Sequence, residues 1–445
     1  MGTRTWLGLA IIMSLWATNL AVAADWSLVP SVNVKTEYNS NINNTSTSGS
    51  TGTSGSIGKL SDFIFTLNPA AAFIYTTEAS KLQGTIGISQ LLYVKNTEYN
   101  HTDQNYQING QYGLTPRFSV SLTSSFISDS TSQQELLASG LTTTRTPRLS
   151  LVLGPGMSYN LTERLSATLN YNFNRVAYQQ VQTTRSQSYQ DYYSQTASLM
   201  WQYLLSERTT ISTTFSGTGT TYTGSSGSNS NYSNYSNYNN YNNNGNNGNN
   251  GNDYKSLLVS LGVSHKFSEE WQFNAAGGVN CSSYTNDSQI YSAGQFPNFV
   301  SVPTQQKKSI NFSPNFNLGA TRRWTNLSFT GSFTRNQQAS GAGYIAQVTA
   351  LSLAMNYLFT EKLTGSLIGS YSLSSQSSNT SQNRNNYYSV GPQLNYQITE
   401  KLTASSAYRF SNQSYGGNNI SGTSTSNVQD ISLMLNYSYP MHYQK

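Results

Sequence analysis

LTERLSATLNYNF (161–173), FTEKLTGSLIGSYSL (359–373) and ITEKLTASSAYRFS (398–411) are one pattern written three times. Looser copies are TPRFSVSLTSSF (115–126), SERTTISTTFSG (206–217) and SEEWQFNAAGGV (268–279). Each begins with a hydroxyl residue, in most copies followed by Glu and then Lys or Arg. After that, apolar and small polar side chains alternate. A charged tripeptide can turn in water without a core to support it. Strict alternation puts every second side chain on one face of a β-strand. The phrase reads as a tight turn feeding a strand, and its recurrence decides the fold.

Thr77, Thr115, Thr162, Ser206, Ser268, Arg322, Thr360 and Thr399 serve as turn markers, spaced 38 to 62 residues apart. The shortest interval holds two strands of about 13 residues, a tight turn and a modest loop, which suits membrane-crossing strands. Eight such turns separate nine hairpins. The sequence therefore predicts an all-β chain: a transmembrane antiparallel β-barrel of about 18 strands over residues 24–445, in the outer membrane of a Gram-negative bacterium.

The first 23 residues have the form of a secretory signal. Arg4 supplies the positive end, WLGLAIIMSLWA (6–17) the apolar middle and Ala21-Val22-Ala23 the cleavage site. That apolar run is too short for a spanning helix, which needs about 20 residues. Charged residues are 9% of the chain, against about 25% in an ordinary soluble domain. With 32 tyrosines, the chain is too aromatic for a disordered polymer. Few charges, many aromatics and alternating strands fit a wall with lipid outside and water inside. A net charge of +6 on a chain this long is no nucleic-acid footprint.

The first strand is expected at 26–38, the second at 62–75, the third at 81–95 and the last at 431–439. Loops are expected near 97–103, 129–146, 181–190, 223–252, 286–306, 337–343, 377–385 and 414–426. The stretch 223–252 is a low-complexity Asn/Tyr tract, read as an inserted extracellular loop that packs nothing. The loops at 39–60, 223–252 and 286–306 are the ones expected to be mobile or to constrict the mouth. Pro69, Pro155, Pro314 and Pro392 each sit seven or eight residues before a short turn. Proline cannot donate to a ladder, so each predicts a bulge or local distortion.

Charge in hydrocarbon is costly, so strand charges are assigned to the lumen by phase. The pore-lining candidates are Lys35, Glu37, Lys95, Arg148 and Arg409, with the neutral run Ser166, Thr168, Asn170, Asn172 and Asn174. Arg175 and Arg335 break the inward phase and are placed at the outer rim. Cys281, the single cysteine, falls on the lipid-facing phase and excludes an intramolecular disulfide. His101, His265 and His442 with one cysteine cannot build a His/Cys metal cluster. His101 and Asp103 are the one close acid–base pair, and a triad needs a positioned third group. No catalytic residue, metal ligand or cofactor site is read from this chain.

PSVNVKTEYNSNIN near the mature start, SDFIFTLNP (61–69), LGPGMSYNLTERLSATLNYNF (153–173) and VGPQLNYQITEKLTASSAYRFS (390–411) resemble the β-barrel porins associated with exosortase (PEP-CTERM) and exopolysaccharide gene clusters. The resemblance covers most of the mature chain. It implies an outer-membrane channel serving as the exit for a secreted polysaccharide, with outer-membrane lipid, the barrel assembly machinery and periplasmic polysaccharide-export proteins as partners. It brings no catalytic or binding residues. Two other readings stand beside it: a general diffusion porin for small hydrophilic solutes, and a sheath or display protein.

Overall fold

The computed structural model describes residues 24–45, 58–130, 146–179, 189–223, 253–286, 307–341, 343–377, 382–417 and 424–444. The proposed signal segment 1–23 and residues 224–252 and 287–306 of the longest loops lie outside them. The described residues form one closed sheet of eighteen antiparallel strands. In chain order they are β1 (Asp25–Asn39), β2 (Asp62–Thr76), β3 (Ser80–Tyr93), β4 (His101–Thr115), β5 (Phe118–Ser130) and β6 (Pro147–Asn160). Then follow β7 (Leu165–Tyr178), β8 (Asp191–Ser206), β9 (Thr209–Thr223), β10 (Asp253–Lys266), β11 (Trp271–Asn286) and β12 (Lys307–Arg323). The last six are β13 (Leu327–Ser340), β14 (Tyr344–Thr360), β15 (Leu363–Ser377), β16 (Gln382–Gln397), β17 (Leu402–Gly417) and β18 (Ser424–Ser438).

The seam closes β1 on β18, with Val34 opposite Leu435. After Tyr439 and Pro440 the last strand resumes as Met441–Gln444, in unchanged register against Asp25–Leu28. The interruption falls where Pro30 and Pro440 remove ladder donors, and Tyr439 N–H reaches the Pro30 carbonyl at 3.0 Å. Following the registers once around the ring displaces the start by about 22 residues. With 18 strands this corresponds to a tilt of about 40° and a backbone radius of roughly 17–18 Å.

The repeated phrase has a common local cause. The side-chain oxygen of Thr77, Thr115, Thr162, Ser268, Thr360 and Thr399 accepts the backbone N–H three residues on, at 2.9–3.2 Å. The hydroxyl thus replaces a ladder partner where the chain reverses. Arg322 is an exception among the markers. It lies within β12, the turn is 324–326, and its guanidinium stacks on Trp271 and Trp324 at 4.8 and 4.0 Å. The aromatic clasp flanks this turn, across which Trp324 N–H reaches the Leu327 carbonyl at 2.7 Å.

Alternation holds around the wall. Leu433, Leu435 and Tyr437 are exposed on one face, as are Leu257, Val259 and Leu261. Cys281 pairs with Leu257 and Phe312 on that outward face. Tyr38 and Phe63 meet at 5.1 Å near the outer end of the apolar belt. Among the described residues no helix is long and apolar enough to cross a membrane; this chain crosses with strands.

The prolines behave more uniformly than expected. Each keeps its pairing with the preceding strand: Pro69 opposite Val32, Pro155 opposite Leu122, Pro314 opposite Val279 and Pro392 opposite Leu367. The ladder to the following strand is what fails. Around Pro69, Pro155 and Pro392 it skips two residues and resumes in the same register. These three therefore make local distortions in the form of gaps, not bulges, because a lost donor removes a bond without adding a residue. At Pro314 the ladder does not resume.

Candidate functional site: a lumen narrowed by a folded-in hairpin

β12 and β13 pair only from Phe316–Arg335 down to Arg323–Ser328. Above that level β12 stays on β11, while β13 continues to Ser340 paired solely with β14. The outer end of the β13–β14 hairpin has left the wall, starting within two residues of Pro314. Its tip reaches strands five or six places away. Tyr222 of β9 donates its hydroxyl to the Tyr344 carbonyl at 2.7 Å, and Gln190 N–H bonds to the Gly341 carbonyl at 2.6 Å. Ala339 packs against Val176, Tyr178, Tyr189, Tyr192 and Tyr222, which are all buried. A hairpin in the wall could not touch β7 and β9, so this one lies inside the barrel.

Two glycines permit the approach. A Cβ on Gly341 would stand 2.5 Å from the Tyr178 hydroxyl. Gly343 takes φ +83°, a conformation side chains resist, beside Gln190. Lower down, Gln337 fastens the hairpin. Its Oε1 accepts Asn280 Nδ2 at 2.7 Å and the Tyr254 hydroxyl, and its Nε2 donates to Ser313 Oγ at 3.0 Å. Ile345, Ala346 and Val348 are buried. The expected loop at 337–343 is thus mostly strand, and it is a constriction the sequence reading assigned to other loops.

A second segment folds inward at the seam. Asn41 is buried and donates to the Thr45 carbonyl, Ser426 Oγ and the Asn427 carbonyl at 3.0–3.2 Å. Asn44 reaches Gln413 at 2.8 Å, and Ile42 packs with Ile64 and Tyr93. Beside it, one residue beyond the aromatic girdle, Asp62 accepts the N–H groups of Phe63, Lys95 and Asn96 and the Asn96 amide. Burial pushes its carboxyl up, but the Asn96, Lys95 and Phe63 donors outweigh that and hold it below the usual range. The part of the 39–60 loop that is described does enter the mouth.

The candidate lining residues fall into groups. Lys35 and Glu37 form an ion pair at the seam, next to Arg409 paired with Asp430. Arg148 is buried and grips Asp129 with two bonds of 2.8–2.9 Å. Ser166, Thr168, Asn170, Asn172 and Asn174 run along β7 in the phase of the buried Val176 and Tyr178; Thr168 also meets Ser158 at 3.1 Å. Lys95 is different: β3 ends at Tyr93, so Lys95 lies in the bend above the strand. Arg175 is exposed on the outward face, whereas Arg335 sits at the hinge where β13 leaves β12. Each of the four strand cations assigned to the lumen thus has an acid beside it, or in Lys95's case lies off the strand.

Between the hairpin and the wall of β7–β12 is a pocket of about 500 Å³. Asn172, Asn174, Thr196, Thr218, Asn280 and Gln337 are among its lining residues, and none of the residues lining it is charged. Near β4–β6, His101 places Nδ1 2.6 Å from the Tyr99 carbonyl, with Ser130 Oγ and Asp103 Oδ1 both on Nε2 at 3.1 and 3.4 Å. A triad sets acid and nucleophile on opposite ring nitrogens; here they share one. Among the described residues no three His, Cys, Asp or Glu side chains converge on a metal position.

No protein-family model matches this chain, and no curated protein matches it. Solved structures similar to it include the ferric-catecholate import receptor Fiu of E. coli, at 8% identity and TM-score 0.44, covering 92% of this chain and 81% of that one. OccK2 (OpdF) of Pseudomonas aeruginosa is 10% identical with TM-score 0.42, covering 95% and 98%. The copper transporter OprC is 9% identical with TM-score 0.42, covering 93% and 83%. These likenesses carry no functional assignment. The closed eighteen-strand wall with its outward apolar belt makes the chain an integral β-barrel channel of the Gram-negative outer membrane.

Proposed function

We propose that this non-enzymatic channel conducts uncharged, hydrated polymer, as a conduit associated with exopolysaccharide export. The observation that carries the reading is the chemistry of the lumen face. Amides and hydroxyls line the constriction pocket, and Lys35, Arg148 and Arg409 on the strands outside it each pair with an acid. Such a face exchanges hydrogen bonds with a polyhydroxylated chain at nearly the cost of water, and the pocket lining offers an ion no countercharge. Periplasmic export proteins would deliver the polymer, and the resemblance to exosortase-associated porins points the same way.

Liposomes containing the protein should admit neutral malto-oligosaccharides faster than anionic oligomers of equal length, and loss of the gene should remove surface polysaccharide. Equal or faster entry of the anionic series would overturn the reading. The alternative, a general diffusion porin for small hydrophilic solutes, draws on the same polar face. It predicts passage of monosaccharides, rejection of longer chains, and normal surface polysaccharide without the gene.

A further inference from the structure

The pocket behind the hairpin has more structure than a conducting wall needs. Its floor carries hydroxyl pairs, Thr196 with Thr218 and Thr220 with Ser194, each at 3.0 Å. Its roof is the underside of the hairpin, pinned by Gln337. Two amide oxygens, Oδ1 of Asn174 and Oδ1 of Asn280, are buried there with no protein hydrogen-bond partner. Asn280 itself is only 7% exposed, and its Nδ2 is committed to Gln337. Buried amide oxygens without donors are costly, and native proteins rarely keep them without a reason.

The chemistry around these two acceptors selects what can satisfy them. A hydrocarbon brings no donor. An anion brings acceptors to acceptors and finds no cation among the lining residues. A cation brings charge into a site with no carboxylate to neutralise it. A neutral polyol donates to the two oxygens and both donates to and accepts from the threonine and serine hydroxyls. Tyr192 and Tyr254 add aromatic surface at the outer edge of the pocket. A volume of about 500 Å³ is in the range of small-molecule sites, roughly 300–1,000 Å³.

We propose that the space between the β13–β14 hairpin and the β7–β12 wall is a binding site for a short segment of uncharged saccharide, with Asn174 and Asn280 as hydroxyl acceptors. The proposal rests on the conduit reading for its ligand class but is tested without transport. Maltohexaose would be titrated by calorimetry into the full-length protein in detergent, with hexagalacturonate at neutral pH as the anionic match. Heat-resistant compact migration on a gel confirms that each variant is folded.

Maltohexaose is expected to bind saturably at one site per chain, and hexagalacturonate at least tenfold more weakly. Asn174→Leu keeps the approximate shape and removes an acceptor without touching the Asn280–Gln337 bond; Thr218→Val keeps the shape and removes a floor hydroxyl. Each is expected to weaken binding at least tenfold, while Asn395→Leu on β16, outside the pocket lining, leaves it unchanged. Absence of saturable binding, equal binding of the anionic oligomer, or indifference to both pocket variants would overturn the site. Saturable binding in a barrel that excludes neutral oligosaccharides would instead sink the conduit reading and keep the site. Passage of those sugars without saturable binding would do the reverse.

Discussion

Two segments enter this barrel from its outer end, and they are held by different means. The seam segment, residues 40–45, is polar and non-repetitive, and side-chain amides bind it to β17 and β18. The hairpin end, residues 336–340 and 344–346, is regular β-structure, with Ala339 packed against tyrosines and Ile345 and Ala346 buried. A loop needs side-chain bonds to replace a ladder it lacks. A hairpin brings its own ladder, so it needs only a surface to pack on and an opening in the wall. Pro314 supplies the opening. β17 follows a proline strand too, yet rejoins β16 at Val390–Phe410. Its outward Tyr408 and Phe410 belong in lipid, whereas β13 above Phe333 offers Arg335, Gln337 and Ala339. A missing donor lets a strand leave; the side chains beyond decide whether it does.

The contrast requires a wall whose outward face is hydrocarbon. Leu435→Arg on β18 is expected to cost roughly 2–4 kcal/mol, the range for a cation near the bilayer midplane. Asn436→Arg, one residue along and facing the lumen, should escape most of that. Refolding titrations in lipid measure both. Equal losses would put the register in doubt and with it the assignment of both inward segments.

Next in size, Gly341→Val pushes a branched side chain against Tyr178. Overpacking of this kind costs about 1–3 kcal/mol, and the tip can relieve it by lifting off the wall. Urea unfolding should show the loss, and single-channel conductance should rise. Unchanged conductance with lost stability would mean that the tip does not narrow the path. Asn41→Ala tests the seam segment, with an expected cost of about 1–2 kcal/mol for its lost side-chain bonds. Because a loop anchored by several amides does not pivot as a unit, conductance should change less than in Gly341→Val.

The smallest effect is pH-dependent. The Asp62 carboxyl is held below its usual range in the folded state. Its stabilisation is therefore complete above the unfolded value of about 3.9 and fades as pH falls through the lowered folded value. Asp62→Asn should lose about 1 kcal/mol at neutral pH, and the difference from the parent should close in acid. A gap that widens below pH 4 would contradict the assignment.

Much of this was legible in the sequence. The hydroxyl-led phrase marks seven of eight turns, and in six of them one side-chain oxygen binds the N–H three residues on, which is a local event. The alternation gives the faces of β1, β7 and β18 for the same reason. Lys95 was misplaced because Asp62, 33 residues earlier in sequence, ends β3 by capturing the Lys95 and Asn96 N–H groups. The hairpin was invisible because β13 and β14 alternate like any other strands. What bends them inward is the meeting of Gly341 with Tyr178 and of Tyr344 with Tyr222, far apart in the chain. The pocket inherits that blindness: the phase of β7 gives Asn172 and Asn174 as lumen residues, whereas Gln337, which lines the same pocket, falls in a stretch that reads as loop.

The central claim is that the hairpin tip lies against β7 inside the barrel. In a Cys281→Ser background, Tyr178→Cys with Gly341→Cys should join through a short bifunctional maleimide in isolated outer membranes, seen as altered gel mobility after denaturation. If β13 stayed in the wall, continuing its register would set residue 341 beside Ile310 of β12. The account predicts a 178–341 cross-link and none between Ile310→Cys and Gly341→Cys. A 310–341 cross-link with no 178–341 product would place the hairpin in the wall and contradict it.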